Sequence, residues 1–133
     1  MNLRRRDFMK TLAASALATI AHPPALALAN RTSVSLSAPD RALRGAAITI
    51  TLHVTHRGNN FIHFTNWVLL KADDQEIARW EFSAFNRPPS ENFTLETTLE
   101  VQQTVQLVAE GNCNLHGSDG KAFHTITITV TDS

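Results

Sequence analysis

Alternation of apolar and polar residues with a period of two is the feature that most constrains what this chain can fold into. It is clearest in residues 46–56, where four apolar residues share one face: Ile48, Ile50, Leu52 and Val54. Threonines occupy much of the opposite face. A period of two is typical of β-strands that bury one side. Residues 123–130 repeat the pattern near the C-terminus, so we expect a core built from strands.

Further short segments rich in β-branched and aromatic residues lie between these two, and turn residues separate them. They predict strands at residues 33–36, 61–70, 77–83, 93–101 and 104–109. About seven short strands in about 100 residues are typical of an immunoglobulin-like fold. The fold prediction is therefore all-β, an immunoglobulin-like antiparallel β-sandwich of about seven strands.

The first 29 residues have the layout of an export signal. Basic residues open it, an apolar run follows at residues 12–21, and Ala27-Leu28-Ala29 offers a cleavage site. The apolar run is shorter than the roughly 20 residues of a membrane-spanning helix. Arg5-Arg6-Asp7-Phe8-Met9-Lys10 resembles the twin-arginine signal, which directs folded proteins out of the cytoplasm. An ordinary export signal rich in arginine is the alternative.

From this layout we predict a twin-arginine signal peptide at residues 1–29, cleaved near Ala29, and a single working domain at residues 30–133. The export machinery is then one partner, and the mature protein is periplasmic with no membrane attachment. The chain has 12 Lys or Arg and 12 Asp or Glu, and loss of the basic signal leaves a slightly acidic domain. Clustered basic residues mark nucleic-acid binding, so no nucleic-acid partner is predicted.

Cys113 is the only cysteine of the chain, so it has no partner for an internal disulfide. Outside the cytoplasm a lone thiol is open to oxidation unless it is buried, paired with another chain or bound to a metal. His116 follows three residues later, on a loop that contains several glycines. A thiolate and an imidazole at this spacing can bind one metal ion.

Strand parity sorts the other histidines of the predicted domain. His56 has the parity of Leu52 and Val54 and is expected to point inward, whereas His53 is expected to face solvent. His63 follows across a turn, and His124 shares the apolar face of the last strand. We therefore expect three or four histidines to meet the Cys113 loop at one end of the sandwich.

In order and spacing these residues resemble the iron domain of superoxide reductases, the neelaredoxin and desulfoferrodoxin group. In that family a strand ends in a histidine, and a short turn leads to a second histidine followed four residues later by tryptophan. A Cys-Asn-x-His-Gly loop then completes the site. Here His56, His63 with Trp67, and the loop Cys113–Gly117 take those places.

The resemblance implies an immunoglobulin-like sandwich that holds mononuclear iron, cycling between Fe(2+) and Fe(3+). His56, His63 and His116 would be imidazole ligands, and Cys113 would be the thiolate ligand that makes the iron electron-rich. Superoxide is then the substrate and hydrogen peroxide the product. A small electron-donor protein or another reductant would return the iron to its ferrous state.

One departure from the family concerns its N-terminal Glu-Lys-His loop, which normally supplies a further histidine ligand and a lysine. No histidine lies between residues 30 and 52. The fourth imidazole is then His124, His53 or absent, and parity favours His124. Arg57, beside His56, is predicted to replace the lysine in drawing in the superoxide anion, unless it is an ordinary solvated turn residue.

Two other functions fit the sequence. Two histidines and a cysteine on an exported sandwich also describe a blue-copper electron-transfer domain, but the methionine usual in that class is missing, since Met1 and Met9 fall in the signal. A non-catalytic metal-binding module, or one resembling the sandwich domains of sulfur-carrier proteins, is the second alternative.

Overall fold

The structure is a computed structural model that describes residues 31–129. Within this range the chain forms eight strands and no helix, so no described helix is long and apolar enough to cross a membrane. The strands are β1 (Ser33–Ser37), β2 (Arg41–Leu43), β3 (Ala47–Thr55), β4 (Thr65–Ala72), β5 (Gln75–Glu81), β6 (Asn92–Glu100), β7 (Val105–Cys113) and β8 (Lys121–Thr129).

The strands form two sheets. One has three strands in the order β1-β3-β6, and the other has five in the order β2-β8-β7-β4-β5. Every pairing is antiparallel except that of β2 with β8. The expected all-β sandwich is confirmed. The additional strand is β2, whose three residues are too few to show a hydrophobic period.

The core lies between the two sheets and follows the alternation seen in the sequence. Along β3 the apolar residues are buried and most of their neighbours are exposed. Facing them from the other sheet are five buried residues: Val68, Leu70, Leu107, Ala109 and Ile126. Each large apolar side chain buried in this way contributes about 1.5–3 kcal/mol. The alternation therefore fixes both the strand faces and the layer between them.

The segment before β4 differs from the prediction. A strand was expected from residue 61, but β4 begins at Thr65 because Asn60 organises a turn instead. The Asn60 Oδ1 atom accepts hydrogen bonds from the amides of Ile62 and His63, at 3.0 and 2.9 Å. Side-chain bonds of this kind compete with strand pairing. His63 therefore lies on a loop, where the alternation of strand faces does not determine the direction of its side chain.

One end of the sandwich, here called the site end, brings β1, β4 and β7 together. Thr65 pairs with Cys113 across β4 and β7, and the fully buried Thr32 bonds to Thr65 through their hydroxyls at 2.8 Å. Gly111 permits this approach. A Cβ atom on Gly111 would lie 2.6 Å from Thr32 Cγ2 and 2.9 Å from Val34 Cγ2, closer than packed carbon atoms come.

Candidate metal centre

His56 follows β3 directly and is completely buried. Its amide donates a hydrogen bond of 2.8 Å to the carbonyl of Glu91. The backbone pairing between β3 and β6 therefore continues one residue beyond the end of β3. The ring is inward, as parity predicts. Its Nδ1 atom lies 2.7 Å from Asn59 Oδ1, and its Nε2 atom lies 3.1 Å from His63 Nε2.

His63 packs against Gly58, which has a φ of +129°. A Cβ at this glycine would lie 2.6 Å from His63 Nδ1, so both the backbone conformation and the close approach require glycine. The two histidine rings meet edge to face, with an interplanar angle of 79° between His56 and His63. The turn thereby aims the half-buried His63 at the buried His56.

Cys113 is the last residue of β7, and its side chain is 1 % exposed. The chain then turns back, with reciprocal backbone bonds of 2.9 Å between Cys113 and Gly117. The amides of Leu115 and His116 donate to the sulfur at 3.4 and 3.3 Å. Amide hydrogen bonds stabilise negative charge on a sulfur and tune metal–thiolate centres. The loop therefore directs two hydrogen-bond donors at the sulfur.

His116 completes the group from the exposed side of the same loop. Its Nδ1 atom lies 3.7 Å from the Cys113 sulfur and 3.0 Å from His63 Nε2. The rings of His63 and His116 are nearly perpendicular, at 86°. His63 therefore lies between His56 and His116, and all three rings turn a nitrogen toward one region.

The ligand atoms of three of these residues are close enough together to bind a single metal ion. The ligand atoms of His56, His63 and Cys113 all lie within 4.8 Å of one another. Two imidazole nitrogens each about 2.1 Å from one ion, at a right angle, are about 3.0 Å apart. The two nitrogen–nitrogen distances given above have this value. Imidazole with thiolate suits iron, copper or zinc, whereas calcium and magnesium prefer oxygen ligands.

A comparison with models of protein families identifies the family of this chain. Residues 32–119 match the model of desulfoferrodoxin, which is more than half of the chain and contains all four donor residues. The chain belongs to the desulfoferrodoxin family. No match was found among curated proteins.

Solved structures share the sandwich fold with this desulfoferrodoxin domain. A superoxide reductase (neelaredoxin) from Ignicoccus hospitalis is 20 % identical with a TM-score of 0.63, covering 74 % of this chain and 83 % of that one. A CARDB domain from Pyrococcus furiosus, in complex with di-metal ions, is 13 % identical with a TM-score of 0.62, covering 77 % and 97 %. The sulfur carrier protein SoxY from Chlorobium limicola f thiosulfatophilum is 13 % identical with a TM-score of 0.52, covering 72 % and 78 %. At these identities the likeness is one of fold.

Asn114 is a site residue whose role the sequence did not reveal. Its side chain accepts a bond from the amide of Phe64 and donates one to the carbonyl of Ile62, both at 2.9 Å. Its own amide donates to the Phe64 carbonyl at 3.0 Å. These bonds tie the desulfoferrodoxin Cys-Asn-x-His-Gly loop to the segment that carries His63. The motif contains Asn114, but spacing alone does not show partners some fifty residues away.

The structure does not bring His124 to the other donors, which corrects its assignment as a ligand. Its inward parity is observed, but His124 pairs with Leu107, six residues before Cys113, or about 20 Å along the strand. Its Nε2 atom lies 3.1 Å from the Pro39 carbonyl oxygen and 3.3 Å from Asp40 Oδ1. Parity gives the face of a strand and not the height along it, which is why the assignment failed.

The other two assignments concern exposed residues. His53 faces solvent as expected and pairs with Thr94 of β6. Arg57 is exposed directly beside His56, so its attraction of an anion stays a prediction.

Beyond the loop, burial raises the pKa of Asp119 while nearby Arg31 lowers it. A raised carboxyl pKa favours folding at low pH, and this contribution is lost as the pH rises through the folded-state pKa.

These placements predict different results for two histidine variants. His63→Ala is expected to lower the metal content of the purified protein severely, because it removes the central nitrogen of the group. His124→Ala is expected to leave the metal content unchanged, because that ring bonds to the chain at Pro39. Metal analysis at matched protein concentration checks both, and a loss of metal in His124→Ala would show that His124 is a ligand.

Proposed function

We propose that this desulfoferrodoxin domain is a superoxide reductase with a mononuclear iron. The observation that carries the proposal is the convergence of His56, His63, His116 and Cys113 on one region, with two amides directed at the sulfur. The family match and the sandwich shared with the Ignicoccus superoxide reductase support it.

The four donor residues would hold the metal in two different ways. His56, His63 and His116 would hold the iron through neutral imidazoles, and Cys113 would hold it through a thiolate whose charge the amides of residues 115 and 116 stabilise. Bound iron supplies a one-electron couple. Each superoxide takes up one electron and two protons and leaves as hydrogen peroxide, and an external reductant, such as a small electron-donor protein, returns the electron.

The four donor residues differ in their exposure to solvent, and this bears on how a substrate can reach the site. Cys113 and His56 are sealed from solvent, while His63 is partly exposed and His116 is open. A small anion can therefore approach on the side of His63 and His116, where Arg57 would add attraction as an exposed cation beside His56. The sulfur itself stays protected from oxidants in solution.

The burial of Cys113 bears on the sulfur-carrier alternative. A sulfur carrier must present its cysteine to partner enzymes, and a side chain that is 1 % exposed does not do so. Blue-copper sites use two histidines, one cysteine and a weak axial ligand, usually methionine. A third imidazole, that of His116, has its Nδ1 atom 3.7 Å from the sulfur and 3.0 Å from His63 Nε2, and this additional donor favours iron over that arrangement. Neither observation weighs against a non-catalytic metal-binding module, and catalysis is what separates such a module from a reductase.

Export by the twin-arginine route is part of the proposal. The predicted signal at residues 1–29 lies outside the described residues. Cleavage near Ala29 would spare Thr32, the buried residue bonded to Thr65 and to the Gly117 carbonyl. A periplasmic domain of residues 30–133 would thus keep all the contacts of the site end.

Elemental analysis of protein isolated from the periplasm, followed by rapid mixing with superoxide, tests the proposal. We expect a single iron per chain, an N-terminus near residue 30, and one hydrogen peroxide per superoxide without release of dioxygen. Dioxygen accompanying the peroxide would indicate dismutation instead. Iron without superoxide consumption would favour a non-catalytic module, and copper would favour electron transfer.

A further inference from the structure

Asn59 lies in the turn between His56 and His63 and has a φ of +53°. Left-handed backbone is uncommon outside glycine, and asparagine is among the few residues that tolerate it. Three hydrogen-bonding partners hold its side chain. They are the amide of Thr65 at 2.8 Å, the carbonyl of Ser90 at 2.8 Å, and the Nδ1 atom of His56 at 2.7 Å.

The first two partners fix the orientation of the side-chain amide. The Thr65 amide can only donate and the Ser90 carbonyl can only accept, so the oxygen of Asn59 must face Thr65 and its nitrogen must face Ser90. The same oxygen faces His56 Nδ1. An amide oxygen carries no proton, so Nδ1 of His56 must carry the hydrogen of this bond.

The tautomer of His56 follows from this constraint. A neutral imidazole has one N–H, and when that hydrogen is on Nδ1 the Nε2 atom keeps a free lone pair. Nε2 is the atom that lies 3.1 Å from His63 Nε2, within the donor group. The Asn59 oxygen therefore selects the form of His56 whose ligand atom faces the other donors.

We propose that Asn59 is a positioning residue that holds His56 in the Nδ1–H tautomer and so presents its Nε2 lone pair to the metal. The inference rests on the metal site of the proposed function but not on superoxide chemistry. Groups that hold the second nitrogen of a histidine ligand orient the ring and raise its donor strength. Because Asn59 also bonds to Thr65 and Ser90, it links the first strand of the β4–β5 hairpin to the segment before β6.

Two variants separate the hydrogen bond from the backbone conformation. Asn59→Gly removes the amide and tolerates the positive φ, whereas Asn59→Asp keeps an acceptor oxygen for His56. We expect iron affinity, measured by chelator competition, to fall about 10- to 100-fold in Asn59→Gly. Asn59→Asp should retain most of the affinity, although it loses the donor to Ser90.

The midpoint potential of the iron gives a readout that a merely structural role would not move in this way. A carboxylate on Nδ1–H makes the imidazole a stronger donor and favours the ferric state, so Asn59→Asp should lower the potential. Loss of the acceptor in Asn59→Gly should raise it. Shifts in the same direction, or unchanged potentials, would overturn the proposal.

Zinc-loaded protein supplies a test that does not depend on iron. We expect nitrogen-edited NMR to show a hydrogen-bonded Nδ1 proton on His56 in the wild type and in Asn59→Asp, and its loss to exchange with water in Asn59→Gly. Asn60→Gly is the matched control, because Asn60 bonds to the amides of Ile62 and His63 and should leave the His56 proton in place. A protected proton in Asn59→Gly contradicts the role of Asn59, whereas a zinc or iron site without superoxide reduction contradicts only the proposed function.

Discussion

Replacing Cys113 by alanine is expected to remove the visible thiolate-to-metal charge-transfer band and the reduction of superoxide that we propose for this domain. The sulfur is the sole thiolate available, since the chain has one cysteine, and two amides are already directed at it. Absorption spectra of the oxidised protein, recorded beside metal analysis and circular dichroism, measure the effect. The sandwich should stay folded, because the core lies between the sheets and not in this loop.

Leu115→Ala is the matched control for this experiment. Leu115 lies in the same loop, but it serves the sulfur through its backbone amide, and its side chain is 59 % exposed. The control should keep both the band and the activity. If Cys113→Ala retained the charge-transfer band, Cys113 would not be a ligand and the proposed reductase would have lost its basis.

Gly111→Val is expected to destabilise the domain more than any surface change. The new side chain would overlap Thr32 and Val34 at the place where β1 crosses β7. Overpacking of this kind costs about 3 kcal/mol, which lowers the melting temperature of a domain this size by more than about 10 °C. Thermal unfolding followed by circular dichroism measures the change.

A second substitution tests whether the overlap is the cause. Thr32→Ser removes the methyl group that lies nearest to the new side chain but keeps the hydroxyl that bonds to Thr65. Gly111→Ala combined with Thr32→Ser should therefore be more stable than Gly111→Ala alone, although Val34 still crowds the site. Equal melting temperatures for Gly111→Val and the wild type would mean that β1 does not pack on β7 as described.

The sandwich could be predicted because its determinants are local. The alternation along β3 places Leu52 and Val54 inside whatever the rest of the chain does, and the inward direction of His56 follows from the same parity. The sequence also indicated the Cys113–His116 loop, since its two donor residues are three apart. These features depend on neighbours along the chain and not on distant partners.

The hydrogen bonds between distant side chains and the position of each residue along its strand could not be predicted. Asn59 and Asn114 bond to Ser90, Ile62 and Phe64 across the fold, and no spacing indicates such pairs. For His124 the predicted strand face was correct, but its position along the strand places it far from the other donors. Position along a strand depends on register, which is set by pairing between segments far apart in sequence.

Two of the donors lie at the ends of strands that belong to different layers of the sandwich. His56 follows β3 of the three-stranded sheet, whereas Cys113 ends β7 of the five-stranded sheet. An ion bound by both would act as a clasp between the layers, so the sheets could not separate at this end without releasing it. Occupancy and resistance to unfolding would then rise and fall together.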